Sequence, residues 1–248
     1  MQYLIEQAGK QLQSTAIISN GHHYSYADLL RQSESMALFL LQGEKHLNEA
    51  RVAFMVDPGF DYVQVQWGIW RAGGIAVPLC LSHPLPPLLY VIEDTNASIL
   101  VVSPRYESML HQVAHKKGIR FIVLPVVPMQ DGELPLLLPA RRAINLYTSG
   151  TTSLPKGVVT THSNLQAQIT SLVEAWEWNR SDVILCILPL HHVHGIVKVI
   201  CCALYSGACC RFLPEFDAAS VFSVFRTGNV NLLMAVPTIY FKLIAYFE

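Results

Sequence analysis

The feature that most constrains the fold is an alternation. Short apolar runs at residues 51–56, 75–79, 98–102 and 119–124 are separated by stretches of helical length at 60–72, 84–94 and 105–117. Runs such as Ile75-Ala76-Val77 and Ile99-Leu100-Val101-Val102 are apolar throughout, the pattern of strands buried on both faces. Strands alternating with helices of this size predict an α/β fold of parallel-sheet layers flanked by helices. The rhythm returns downstream, with strands at 182–187, 208–213 and 231–235 and helices at 195–205, 218–226 and from 238 onward.

The chain opens differently. Residues 1–12 read as a weak helix, 15–19 as a strand, Asn20-Gly21 as a turn and 23–26 as a second strand, so a hairpin is expected. Ser25 then caps a helix, with Asp28 three residues on in a variant of the capping box. Leu29, Leu30, Met36, Ala37, Leu40 and Leu41 form its apolar side, and Gly43 supplies a stop. Residues 125–139 hold four prolines and show no period. They read as a surface connection, because the alternation resumes at once.

Charge narrows the function classes. A net charge of −1 over 248 residues gives no footprint for nucleic acid. Charged residues make up 14% and apolar residues 52%, so much of the chain should be buried. No apolar run reaches transmembrane length. Residues 1–12 contain neither an apolar signal core nor the arginine bias of a transit peptide. A cytoplasmic location is expected, with the mitochondrial matrix as the alternative if a presequence is missing. Cys80, Cys186, Cys201, Cys202, Cys209 and Cys210 lie in apolar surroundings and read as buried thiols. A metal site with His191, His192 and His194 is the less favoured alternative, since zinc wants C-x₂₋₄-C spacing.

Three stretches carry chemistry. The first, residues 147–157, reads Tyr-Thr-Ser-Gly-Thr-Thr-Ser-Leu-Pro-Lys-Gly and lies between a strand and a helix at about 164–178. Thr148, Ser149, Thr151 and Thr152 supply hydroxyls, Gly150 and Gly157 let backbone come close to a ligand, and Lys156 adds a mobile positive charge. This is the composition of a phosphate-binding loop. It is not the Walker A arrangement, because Lys156 precedes a glycine and Pro155 disfavours a helical conformation at Leu154. The second stretch, residues 188–195, reads Leu-Pro-Leu-His-His-Val-His-Gly after a strand and before a helix, where α/β proteins place ligand-binding loops. Its histidines can donate to an anionic substrate or relay a proton. In the third, Pro237 ends a strand, Thr238 can cap a helix, and Lys242 follows one turn on along the same face.

The first stretch resembles the phosphate-binding signature of the adenylate-forming superfamily, which contains acyl-CoA synthetases, adenylation domains and luciferases. Its usual form is Tyr-Thr-Ser-Gly-Thr-Thr-Gly-x-Pro-Lys-Gly. Ser153 departs from it by replacing a glycine, which adds strain if that position needs φ > 0 and would weaken the loop. The second stretch, Leu-Pro-Glu-Phe at 213–216, Ala-Val-Pro-Thr-Ile-Tyr-x-Lys-Leu at 235–243, Ala-Gly-Gly-Ile-Ala-Val-Pro-Leu at 72–79 and Ala-Trp-Glu-Trp at 175–178 look like the malonyl-CoA synthetase branch.

The resemblance implies the first part of the large N-terminal domain of an adenylate-forming enzyme, with residues 1–248 a partial AMP-binding domain. The rest of that domain and the C-terminal lid domain are not found in these residues. It implies a reaction in which a small carboxylate attacks the α-phosphate of ATP and the thiol of CoA then displaces AMP, with Mg²⁺ on the nucleotide. Thr148, Ser149, Gly150, Thr151, Thr152, Lys156 and Gly157 would cradle the ATP phosphates, and Thr152 would help hold Mg²⁺. His192 would be the catalytic histidine that meets the acyl-adenylate. His194 and Lys242 would face the distal carboxylate of malonate. Two alternatives stay open: another adenylate-forming ligase or adenylation domain, or a truncated nucleotide-binding protein without catalysis.

Overall fold

The computed structural model of the protein describes residues 1–129, 131–148 and 154–248. The chain forms two compact units. The first comprises Met1–Gln2, Leu29–Asp57 and Asp61–Ala167, and the second Tyr3–Asp28, Pro58–Phe60 and Gln168–Glu248.

In the first unit the apolar runs are strands. β3 (Arg51–Met55), β4 (Ile75–Pro78), β5 (Ile99–Val102) and β6 (Arg120–Val123) run parallel, with Val52 opposite both Ala76 and Ile99. β4 and β5 are buried along their whole length, which is why they lack alternation. On one face lie α4 (Leu85–Asp94) and α5 (Glu107–Lys117). Leu88, Ile92, Leu110 and Ala114 of these helices pack on Ala53, Met55, Val77, Leu100 and Val102 of the sheet. Each such leucine or isoleucine contributes on the order of 1.5–3 kcal/mol through burial. α5 stops at Gly118, whose φ of 63° is the left-handed cap conformation.

The sheet continues into the phosphate stretch. β7 (Arg142–Thr148) joins β4 in parallel, and β8 (Lys156–Thr161) returns antiparallel to β7, giving the order β6-β5-β3-β4-β7-β8. This edge hairpin is a departure from the parallel rhythm. α3 (Phe60–Arg71) is tied to β7 by Trp70, whose buried indole N–H donates to the Ala143 carbonyl at 2.7 Å. Residues 125–139 contain no helix or strand among those described, as expected of the connection.

In the second unit the strand order is β11 (Leu232–Leu233), β9 (Val183–Cys186), β10 (Cys209–Phe212), β1 (Thr15–Ser19) and β2 (His22–Ser25). β1 (Thr15–Ser19) and β2 (His22–Ser25) make the expected hairpin, with Asn20 and Gly21 at φ of 51° and 77°. β1 also lies parallel to β10 (Cys209–Phe212), which lies parallel to β9 (Val183–Cys186), next to β11 (Leu232–Leu233). The Ser25 N–H donates to Asp28 Oδ2 at 2.9 Å, and the Asp28 N–H donates to Ser25 Oγ at 3.1 Å. This is the reciprocal capping box, and it starts α2 (Tyr26–Leu41), the next helix after α1 (Gln2–Gly9). α8 (Ala218–Arg226) and α9 (Pro237–Phe247) close a core around Leu185, Val221, Val224 and Leu243.

Two local expectations are corrected here. The helix predicted at 195–205 is a π-helix over His194–Cys201 followed by α7 (Cys202–Ser206). Ile196, Val197, Val199, Ile200 and Cys201 are all buried, which leaves only His194 and Lys198 as partly exposed positions, too few to reveal the period. Thr238 does not cap α9: Val236 is the N-cap and Pro237 is at the start of the helix, where its missing N–H is no loss. All six cysteines are buried free thiols. Burial pushes Cys202 and Cys209 up to about 12, so both stay protonated at neutral pH.

Candidate functional site

The first unit presents the phosphate stretch at the β7–β8 hairpin. Tyr147 pairs with Gly157 and Thr148 with Lys156. The Thr148 hydroxyl donates to the Lys156 carbonyl at 3.5 Å, linking the two ends of the loop. Thr148 and Lys156 are both exposed. Among the described residues Lys156 has no carboxylate partner, so its ammonium is available to an anion. Gly157 sits in a tight space. A Cβ there would lie 2.8 Å from Asn145 Oδ1 and 3.1 Å from the Tyr147 ring. Asn145 and Tyr147 share a face of β7, directly over the glycine. Sequence reading missed Asn145, because only the cross-strand pairing brings it to Gly157. Ser149, Gly150, Thr151, Thr152 and Ser153 lie outside the described residues.

The second unit presents the histidine stretch beyond the carboxyl end of β9, where open parallel sheets bind ligands. The His191 and His192 rings are 3.9 Å apart between centroids. His192 is exposed, and its carbonyl accepts the Ile196 N–H at 3.2 Å at the entry to the π-helix. Gly195 is buried and closes this turn. A Cβ there would sit 2.8 Å from the Pro189 carbonyl oxygen and 3.2 Å from Leu190 Cδ2.

Burial, then the nearby Lys198 charge, holds the His194 imidazole below the ordinary histidine range. His191 is lowered by burial as well. His194 is therefore neutral at neutral pH, with one ring N–H to donate. Lys242, on α9, is exposed, and its Nζ lies 5.7 Å from the centroid of the Phe216 ring, within cation–π range. Among the described residues no cluster of three or more His, Cys, Asp or Glu side chains could hold a metal ion.

The family profile described as AMP-binding enzyme matches residues 4–248. The chain belongs to the AMP-binding enzyme family. Among its relatives, a malonate–CoA ligase of Xenopus laevis, named as mitochondrial, is 39% identical over 94% of this chain and 43% of its own length. A malonate–CoA ligase of Arabidopsis thaliana is 30% identical, covering 98% of this chain and 46% of the plant protein. Among solved structures, ATP-bound MatB from Rhodopseudomonas palustris superposes with a TM-score of 0.82 at 26% identity, over 97% of this chain and 50% of that one. The chain therefore spans under half the length of the curated relatives it matches. The mixed α/β architecture expected from the sequence is the fold of the N-terminal domain of adenylate-forming enzymes. No helix among the described residues is long and apolar enough to cross a membrane.

Proposed function

We propose that the chain is the first part of the N-terminal domain of an ATP-dependent acid–CoA ligase that activates malonate or a related short acid. One observation carries the reading: 39% identity to a malonate–CoA ligase over 94% of the chain, with the signature lysine and glycine at the root of an exposed hairpin.

In this reading a carboxylate oxygen attacks the α-phosphorus of ATP, and the bond to the bridging oxygen breaks to release pyrophosphate. The thiol of CoA then attacks the acyl carbonyl of the adenylate, and AMP leaves. Two anions must approach each other, so fixed positive charge and positioning lower the barrier. Lys156 offsets phosphate charge, the hydroxyls of Thr148, Ser149, Thr151 and Thr152 donate to phosphate oxygens, and Gly150 and Gly157 allow the close approach. His192 meets the acyl-adenylate. His194 donates its N–H to the distal carboxylate, and Lys242 supplies the charge that a dicarboxylate requires.

Mg²⁺ would neutralise the triphosphate. Thr152, expected to help hold it, lies outside the described residues. The mitochondrial name of the Xenopus laevis relative supports the matrix over the cytoplasm as the location.

The test is formation of acyl-CoA from ATP, CoA and malonate, with acetate and octanoate as competing acids, by the protein that carries these residues. A malonate preference supports the reading. Equal use of the three acids moves the assignment to another acid–CoA ligase. No adenylate with any acid leaves the non-catalytic alternative.

A further inference from the structure

The phosphate hairpin does not stand alone on its sheet edge. α4 reaches it from the same unit at both roots. The Tyr90 hydroxyl donates to the Pro155 carbonyl at 2.9 Å, one residue before Lys156. The Tyr147 hydroxyl donates to the Asp94 carboxylate, one residue before Thr148. The Tyr90 and Tyr147 rings meet edge to face, with centroids 6.1 Å apart and planes at 82°. Tyr90 and Asp94 are four residues apart and so share a helix face. Leu88 and Ile92, on the buried side, fix the helix to the core.

The placement of Asp94 breaks a local rule. A carboxylate in the last turn of a helix faces the negative end of the helix dipole. Its neighbour Glu93 is offset by Lys117 at 2.5 Å, whereas Asp94 is met by the Tyr147 phenol. Local rules are broken where a site has use for the residue. Burial, and then the Asp94 hydrogen bond, raises the Tyr147 hydroxyl above its ordinary range, so the phenol stays a donor at all physiological pH.

We propose that Tyr90 and Asp94 are positioning residues for ATP: α4 clamps the two roots of the hairpin and so sets the spacing of Thr148 and Lys156. The proposal rests on the reading of the chain as an ATP-using ligase. Each acts through the strand end it holds and not through a contact with the phosphates.

The experiment compares Tyr90→Phe, Asp94→Ala and Asp94→Asn in the protein that carries these residues. Tyr90→Phe keeps the ring contact and loses only the hydroxyl. Asp94→Asn keeps an acceptor for Tyr147. Loss of one hydrogen bond at a root should raise KM for ATP about three- to tenfold in Tyr90→Phe and Asp94→Ala. KM for the carboxylate should stay unchanged, and Asp94→Asn should lie close to wild type. Tyr147→Phe combined with Asp94→Ala should cost no more than either alone, since both remove one bond. Backbone hydrogen exchange over residues 156–161 should quicken in Tyr90→Phe and Asp94→Ala alone. A merely structural role would lower Tm and change both KM values together, which would overturn the proposal. So would an unchanged KM for ATP with unchanged exchange. A wild-type protein that does not use ATP would overturn the ligase reading, and the positioning role with it; exchange would still report whether α4 holds the hairpin.

Discussion

His162 offers the sharpest stability test, because a titratable group sits where charge is most costly. It is the first residue of α6 (His162–Ala175), directly after β8, and is only 2% exposed. Its ring meets Trp70 edge to face at 6.0 Å, and its Nδ1 lies 3.1 Å from the amino nitrogen of Met1. Burial first, and then that amino charge, lowers its pKa from 6.5 to about 3. The folded state therefore binds a proton less readily than the unfolded chain. The resulting stability is complete above pH ~6.5 and is lost as pH falls towards about 3.

The size follows from the two values. Lowering pH from 7 to 5 protonates this histidine in the unfolded chain but leaves it neutral in the folded one, which costs roughly 2 kcal/mol. The assay is urea unfolding at both pH values for wild type and for His162→Gln, which keeps a polar side chain but does not titrate. Wild type should lose about 2 kcal/mol more than His162→Gln over this interval. Equal losses would refute the idea that a buried neutral imidazole underlies the acid sensitivity.

Three substitutions probe the site. Gly157→Ala places a methyl against Asn145 and Tyr147, so it should destabilise the hairpin by about 1–3 kcal/mol and weaken ATP binding, read by thermal melting and nucleotide titration. Gly195→Ala meets the Pro189 carbonyl; it should lower Tm through a similar cost of about 1–3 kcal/mol and leave ATP affinity unchanged. Lys242→Ala removes the charge proposed to face the distal carboxylate, so KM for malonate should rise about 10- to 100-fold while KM for ATP holds. Equal effects on both substrates would refute the role given to Lys242.

The sequence made some parts legible for definite reasons. Ile75–Pro78 and Ile99–Val102 are buried on both faces, so continuous apolar runs announced them. The Asn20-Gly21 turn and the Ser25–Asp28 box are local chemistry and could be read directly. β8 escaped notice because Lys-Gly-Val-Val-Thr-Thr is exposed over its first four positions and so shows no period. The π-helix at His194–Cys201 differs from an α-helix by one residue in hydrogen-bond spacing, which a pattern broken only by His194 and Lys198 does not report.

The site divided along the same line. Lys156, Gly157, His192, His194 and Lys242 stood out by residue type and motif. Asn145, Tyr90 and Asp94 reach the hairpin by strand pairing and helix packing, contacts that no short stretch of sequence contains. The neutral state of His194 was equally hidden, since it follows from burial and from Lys198.

The most direct measurement of the central claim is malonate-dependent exchange of labelled pyrophosphate into ATP, for wild type and for Lys156→Ala, in the protein that carries these residues. Exchange reports formation of the adenylate alone and needs no CoA. Exchange should require malonate and fall at least about tenfold in Lys156→Ala at fixed ATP. Exchange that is indifferent to malonate, or equal in the two proteins, would contradict it.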